Sequence, residues 1–128
     1  MSLRSRSREV ALQILFEDET NTRATVEELQ NFVHGRLNNP EGEEFCLSLI
    51  LGVRRNLAEI DPQIEAVAEN WTLRRMAPTD RNALRLGAYE VLFSETPRTV
   101  AINEAVELAK RFGGANSAGF VNGILDKL

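Results

Sequence analysis

At 128 residues the chain has the length of one domain, enough to bury a single core and too short for two independent ones. Its 43% hydrophobic and 27% charged residues are those expected of an ordinary soluble protein. The longest mainly apolar run, Phe45 to Val53, is too short to span a bilayer, and no apolar leader marks the chain for secretion, so a cytoplasmic location is expected. One cysteine excludes an intramolecular disulfide, and a net charge of −4 argues weakly against a nucleic-acid partner.

The distribution of charge says more than its total. Residues 1–16 carry Arg4, Arg6 and Arg8 against Glu9, whereas residues 17–45 carry two arginines against eight acids. The first helix is predicted over Ser7 to Asp18, with Val10, Ala11, Ile14 and Leu15 on its inward face and Leu12 and Phe16 turned to one flank. Arginines at a helix start oppose the macrodipole, which favours acids there, so Arg4, Arg6 and Arg8 are locally unfavourable unless an anion is bound. A bound RNA phosphate would offset that cost, and an exposed Phe16 ring would offer a stacking platform for an unpaired base.

Thr25-Val26-Glu27-Glu28 has the form of a capping box and predicts a second helix with Val26, Leu29 and Val33 inward. After the loop Asn38 to Gly42, Phe45, Leu49, Val53, Leu57 and Ile60 recur at helical spacing and predict the longest helix. Asp61-Pro62 then reads as a restart, with Pro at a first helical position and Ile64 and Val67 leading to Trp71. The fifth helix follows Pro78-Thr79-Asp80, with Leu84, Gly87, Ala88, Val91 and Leu92 on one face. Thr96-Pro97 breaks it. Val100 to Phe112 forms a sixth helix through Ala101, Ala105, Leu108 and Phe112, and Gly113-Gly114 stops it. The last helix starts near Asn116 or Ser117 and carries Phe120, Val121, Ile124, Leu125 and Leu128. No segment has strand-like alternation. The reading is an all-α chain of about seven helices, with a core of Val10, Ile14, Leu15, Leu49, Val53, Leu57, Leu84, Ala88, Val91, Leu108, Phe112 and Ile124.

The inventory of reactive groups is thin. One Cys and one His cannot make a structural zinc site. His34 lies on an acidic amphipathic helix and reads as a surface residue. Glu104 and Glu107 read as solvated acids rather than a catalytic pair. Phe112 to Ala115 lacks the lysine and preceding strand of a phosphate loop. Neither an enzyme nor a cofactor or metal site is expected.

The run from Pro97 to Lys110, followed by Phe112-Gly113 and by Phe120 to Lys127, resembles the C-terminal signature of the NusB family of bacterial transcription antitermination factors. Trp71, Arg75, Asp80, Arg81, Leu84, Arg85, Tyr89 and Glu90 are similar to that family's central motif, and Arg4, Arg6, Arg8 and Glu9 to its arginine-rich start. The resemblance implies an all-helical fold in two small subbundles, roughly 1–60 and 61–128, of a single RNA-binding domain. It implies binding of boxA RNA in nascent ribosomal RNA transcripts, together with the small-subunit ribosomal protein NusE, in an antitermination complex with RNA polymerase. By position it assigns RNA contacts to Arg4, Arg6, Arg8, Phe16, Asn116, Gly119 and Phe120, and the NusE contact to Asp80.

Ser5 and Ser7 interrupt the arginines, and Gly119 stands where a basic residue would help. Weaker RNA binding by the isolated protein and a greater dependence on NusE are therefore expected. The short chain favours a stand-alone factor over the alternative, the NusB-like RNA-binding domain of a ribosomal RNA cytosine methyltransferase. A helical protein-interaction module that never touches RNA is the reading from another class. No membrane partner is expected, and either a monomer or a homodimer is compatible with the sequence.

Overall fold

The computed structural model describes all 128 residues, and every regular element in it is helical. The order is α1 (Leu3–Asp18), α2 (Val26–Leu37), α3 (Pro40–Val67), a 3-10 turn (Leu73–Arg75), α4 (Pro78–Phe93), α5 (Arg98–Phe112) and α6 (Ser117–Leu125). The chain divides into two compact units, Met1–Gly52 and Val53–Leu128. No helix is long and apolar enough to cross a membrane.

In the first unit, α1 starts four residues earlier than the periodicity predicts, because Ser2 caps it: its hydroxyl accepts from the Ser5 N–H at 3.0 Å. The Ser7 hydroxyl lies within hydrogen-bond distance of the carbonyls of Leu3, one turn back, and of Gly42 on α3. Glycine at position 42 eases that approach, since a Cβ there would lie 2.7 Å from Leu3 Cδ1 and 3.3 Å from Ser7 Oγ. Val10, Ala11, Leu12, Ile14 and Leu15 are all buried, so α1 hides more of its circumference than one stripe, and Leu12 belongs to the core rather than the flank. The predicted capping box is present at the start of α2: Thr25 Oγ1 accepts from Glu28 N–H while Glu28 Oε1 accepts from Thr25 N–H, both at 3.2 Å. Leu29 and Val33 are fully buried, but Val26, in the first helical turn, is 49% exposed. Asn38 ends α2 in the left-handed conformation (φ 46°), which asparagine tolerates better than most residues.

The expected break at Asp61-Pro62 does not occur; α3 runs through Pro62 to Val67. Proline removes one backbone donor and leaves the carbonyl four residues earlier without its usual partner. That carbonyl belongs to Ala58, and both Ala58 and Pro62 are exposed, so water can satisfy it. The helix stops later, where Glu69 and Asn70 take positive φ.

In the second unit, α4 and α6 pack on α5. Gly87 makes the close crossing possible: a Cβ on it would lie 2.7 Å from Leu125 Cδ1 and 2.8 Å from Ala105 Cβ. Leu84, Leu86, Ala88, Ala101, Ile102, Ala105, Leu108, Val121, Ile124 and Leu125 supply the buried apolar surface, each larger side chain contributing roughly 1.5–3 kcal/mol. Three expected core members fall short. Leu57 and Val91 are only partly buried, and Phe112 is 48% exposed because α5 ends there and Leu108 and Ala109 already fill the inward face. Gly113 follows α5 in extended backbone and not in a left-handed turn; glycine suits the position for lack of room, with Ser117 Oγ and the Ala109 carbonyl both within 3 Å of any added Cβ.

Candidate nucleic-acid interface

In the first unit the arginines collect where α1 begins and α2 ends. Arg4 and Arg6 are exposed, whereas Arg8 is buried to 2% exposure. The guanidinium carbons of Arg4 and Arg8 lie 4.2 and 5.1 Å from the centroid of the Phe45 ring on α3, within cation–π range. Arg6 donates to the Arg36 carbonyl at 3.4 Å, one of the last carbonyls of α2, where the helix dipole favours a cation. Local structure therefore relieves part of the dipole conflict that the sequence suggests for this segment. Arg36 joins the basic group, its own guanidinium carbon 5.3 Å from the centroid of the Phe32 ring. Sequence reading missed Arg36 and Phe45; the only local signal for Arg36 is a basic residue in the last turn of a helix.

Phe16 is 41% exposed, as a stacking platform requires, but it sits near the other end of α1. At 1.5 Å rise per residue, about 18 Å of helix separates it from Arg4 and about 12 Å from Arg8. Arg4, Arg6 and Arg8 thus share one end, and Phe16 stands apart from them on the same helix.

In the second unit a concavity of about 430 Å³ opens beside the start of α4 and the start of α6. Trp71, Arg75, Asp80, Asn116, Ser117 and Phe120 are among its walls. Trp71 and Phe120 meet edge to face at 5.5 Å, and the Arg75 guanidinium lies 5.7 Å from the Trp71 ring. Trp71 is 44% exposed and Phe120 half-buried, so aromatic surface faces the opening. Three hydrogen bonds fix the turn that carries Trp71 and Arg75: Leu73 N–H donates to Glu65 Oε2 at 2.8 Å, and Arg81 donates to the carbonyls of Leu73 (2.8 Å) and Met76 (2.9 Å). Arg85 and Asp61 form a twin hydrogen-bonded ion pair, both contacts at 2.9 Å, tying α4 to α3.

Of the residues singled out from the sequence in this unit, Asp80, Asn116 and Phe120 line the same concavity. Asp80 Oδ1 is buried and has no hydrogen-bond partner within the chain. Asn116 is exposed and makes no capping bond; Ser117 Oγ instead accepts from Gly114 N–H at 2.9 Å. Gly119 is exposed with open space where a Cβ would be. Trp71 and Arg75 were legible as a motif but not as walls of this site.

No cluster of three or more His, Cys, Asp or Glu side chains is placed to hold a metal ion. Cys46 is buried on α3, and burial pushes its thiol up from 9.0 to about 12. His34 is exposed, with Nδ1 3.1 Å from Glu43 Oε1.

The sequence model of the NusB family matches residues 5–128. Transcription antitermination protein NusB of Sorangium cellulosum is 43% identical, with 100% of this chain and 92% of that protein covered; the Myxococcus xanthus protein of the same name is 42% identical, with 100% and 95% covered. The Thermotoga maritima NusB structure is similar at a TM-score of 0.84 and 38% identity, over 97% of this chain and 88% of the other. A chain in a crystal structure of antitermination factors NusB and NusE in complex with double-stranded RNA matches at a TM-score of 0.86 and 27% identity, over 99% and 96%. Fold, extent of match and identity agree, and the chain belongs to the NusB family.

Proposed function

We propose that this protein is a transcription antitermination factor that binds the boxA element of nascent ribosomal RNA transcripts together with ribosomal protein NusE, within the antitermination complex on RNA polymerase. The observation that carries this reading is the likeness of fold, over 99% of this chain, to a chain in a crystal structure of NusB and NusE with double-stranded RNA. Arg4, Arg6, Arg8 and Phe16 are the RNA-binding residues of the first unit, and Asn116, Gly119 and Phe120 those of the second. Asp80 receives the NusE partner. The exposed arginines Arg4 and Arg6 supply phosphate contacts, Arg8 acts from a buried position beside the Phe45 ring, and Phe16 and Phe120 offer rings on which unpaired bases stack. The protein works in the cytoplasm as an adaptor, without catalysing a reaction.

Phosphate and stacking contributions separate experimentally, because only the first releases counterions. Titration of boxA RNA at several salt concentrations, with and without NusE, tests the reading. Arg6→Ala is expected to flatten the salt slope by up to about 0.7, the value for one single-strand phosphate contact. Phe16→Ala is expected to lose roughly 1–3 kcal/mol with the slope nearly unchanged. Equal affinity of the NusE complex for boxA and for a scrambled RNA would replace this reading by a protein-only interaction module.

A further inference from the structure

Arg4 and Arg8 stand one turn apart on α1 and share one aromatic ring, Phe45. Two neighbouring guanidinium charges repel each other, and the electron-rich ring face offsets part of that repulsion. The two arginines differ in access: Arg8 is buried, whereas Arg4 is exposed, and its contact is the ring, with no hydrogen bond or ion pair to an acid. A guanidinium whose carbon lies 4.2 Å from a ring centroid spends no N–H on a hydrogen bond there, so its donor fork stays available, and that fork has the geometry of a phosphate oxygen pair. An unsupported arginine loses rotamer freedom when it binds; one already stacked has less to lose.

We propose that Phe45 is a positioning residue for RNA binding: its ring holds the Arg4 guanidinium ordered, with the donor edge free to meet a backbone phosphate. The proposal rests on the RNA-binding reading above and deepens it, because Phe45 itself touches no RNA. Phe45 is only partly buried, so its ring is not simply core filling.

The test uses the full chain and boxA RNA, with Phe45→Leu, Phe45→Trp, Arg4→Ala and the Phe45→Leu/Arg4→Ala double variant. Phe45→Leu is expected to weaken binding about 2- to 5-fold, the size of an exposed cation–π contact, while Phe45→Trp keeps wild-type affinity because it keeps a ring. In the Arg4→Ala background the leucine substitution is expected to lose most of its effect. Independently of RNA, the Arg4 Nε–H proton resonance is expected to carry a ring-current shift that Phe45→Leu abolishes and Phe45→Trp retains. Unchanged affinity in Phe45→Leu, or a full-sized effect persisting without Arg4, would overturn the proposal. If the wild-type chain bound no RNA, the parent reading would fail, and the absence of the ring-current shift would separately sink the stacking claim.

Discussion

Replacing glycine by alanine at three helical positions gives opposite outcomes that follow from space alone. In an open helix the exchange stabilises by about 0.8–1.0 kcal/mol, because glycine has more backbone freedom to lose. Gly35 in α2 and Gly123 in α6 have nothing within 4 Å of the added Cβ, so both variants should gain up to about that amount. Gly87 in α4 meets Leu125 Cδ1 at 2.7 Å and Ala105 Cβ at 2.8 Å. The leucine tip can swing, but Ala105 Cβ is fixed to its backbone, so α4 and α5 must separate by several tenths of an ångström. Overpacking of that kind costs roughly 1–3 kcal/mol. Set against the propensity gain, Gly87→Ala should be neutral to about 2 kcal/mol destabilised, and should lie about 1–3 kcal/mol below Gly123→Ala. Denaturant unfolding of the three variants, read as shifts in midpoint at constant slope, measures this directly. A Gly87→Ala protein as stable as Gly123→Ala would refute the close crossing of α4 and α5.

Three further outcomes are expected. Gly119→Lys points a new cation into open space within α6, so RNA affinity should rise and the salt slope steepen by about 0.7 while the unfolding midpoint does not fall, a helical glycine having been replaced. Arg8→Ala should destabilise the fold by roughly 1–3 kcal/mol, since it removes a buried side chain from the Phe45 ring, whereas Arg6→Ala should leave stability within about 0.5 kcal/mol; equal unfolding midpoints for the two would contradict the burial. Burial raises the Cys46 thiol to about 12 in the folded state, so it contributes stability that is intact below the unfolded value of 9.0 and declines as pH rises toward 12. Native protein at pH about 9 should therefore resist iodoacetamide until denatured, and rapid native alkylation would contradict this.

Local chemistry was the most legible part of the sequence. The capping box at Thr25 and Glu28 and the proline start of α4 depend on residues within one turn of each other, and both are present. Where a distant partner decides the outcome, periodicity misleads. Leu12 looks like flank in a one-stripe reading of α1, yet it is buried because that helix is packed on more than one side. Phe112 fits the α5 stripe, but the helix ends at it, and the ring stays exposed. Pro62 carries the local signal of a helix start, although a proline costs little where the carbonyl it orphans faces solvent. The candidate sites show the same division. The arginines were visible as a cluster, but the ring that organises Arg4 and Arg8 lies some 40 residues away in the chain, and Arg36 reaches them only through folding. Likewise, Trp71, Asp80 and Phe120 form one concavity only after the loop that follows α3 and the starts of α4 and α6 have come together.

Whether the protein carries a boxA signal to RNA polymerase is decided by terminator read-through in transcription reconstituted with NusE and the other antitermination components. Templates encoding boxA or a scrambled element are compared upstream of the same terminator. Adding this protein should raise read-through only on the boxA template and only with NusE present, and the Arg6→Ala/Phe16→Ala double variant should lose the effect while remaining folded. Equal read-through on boxA and scrambled templates would contradict it.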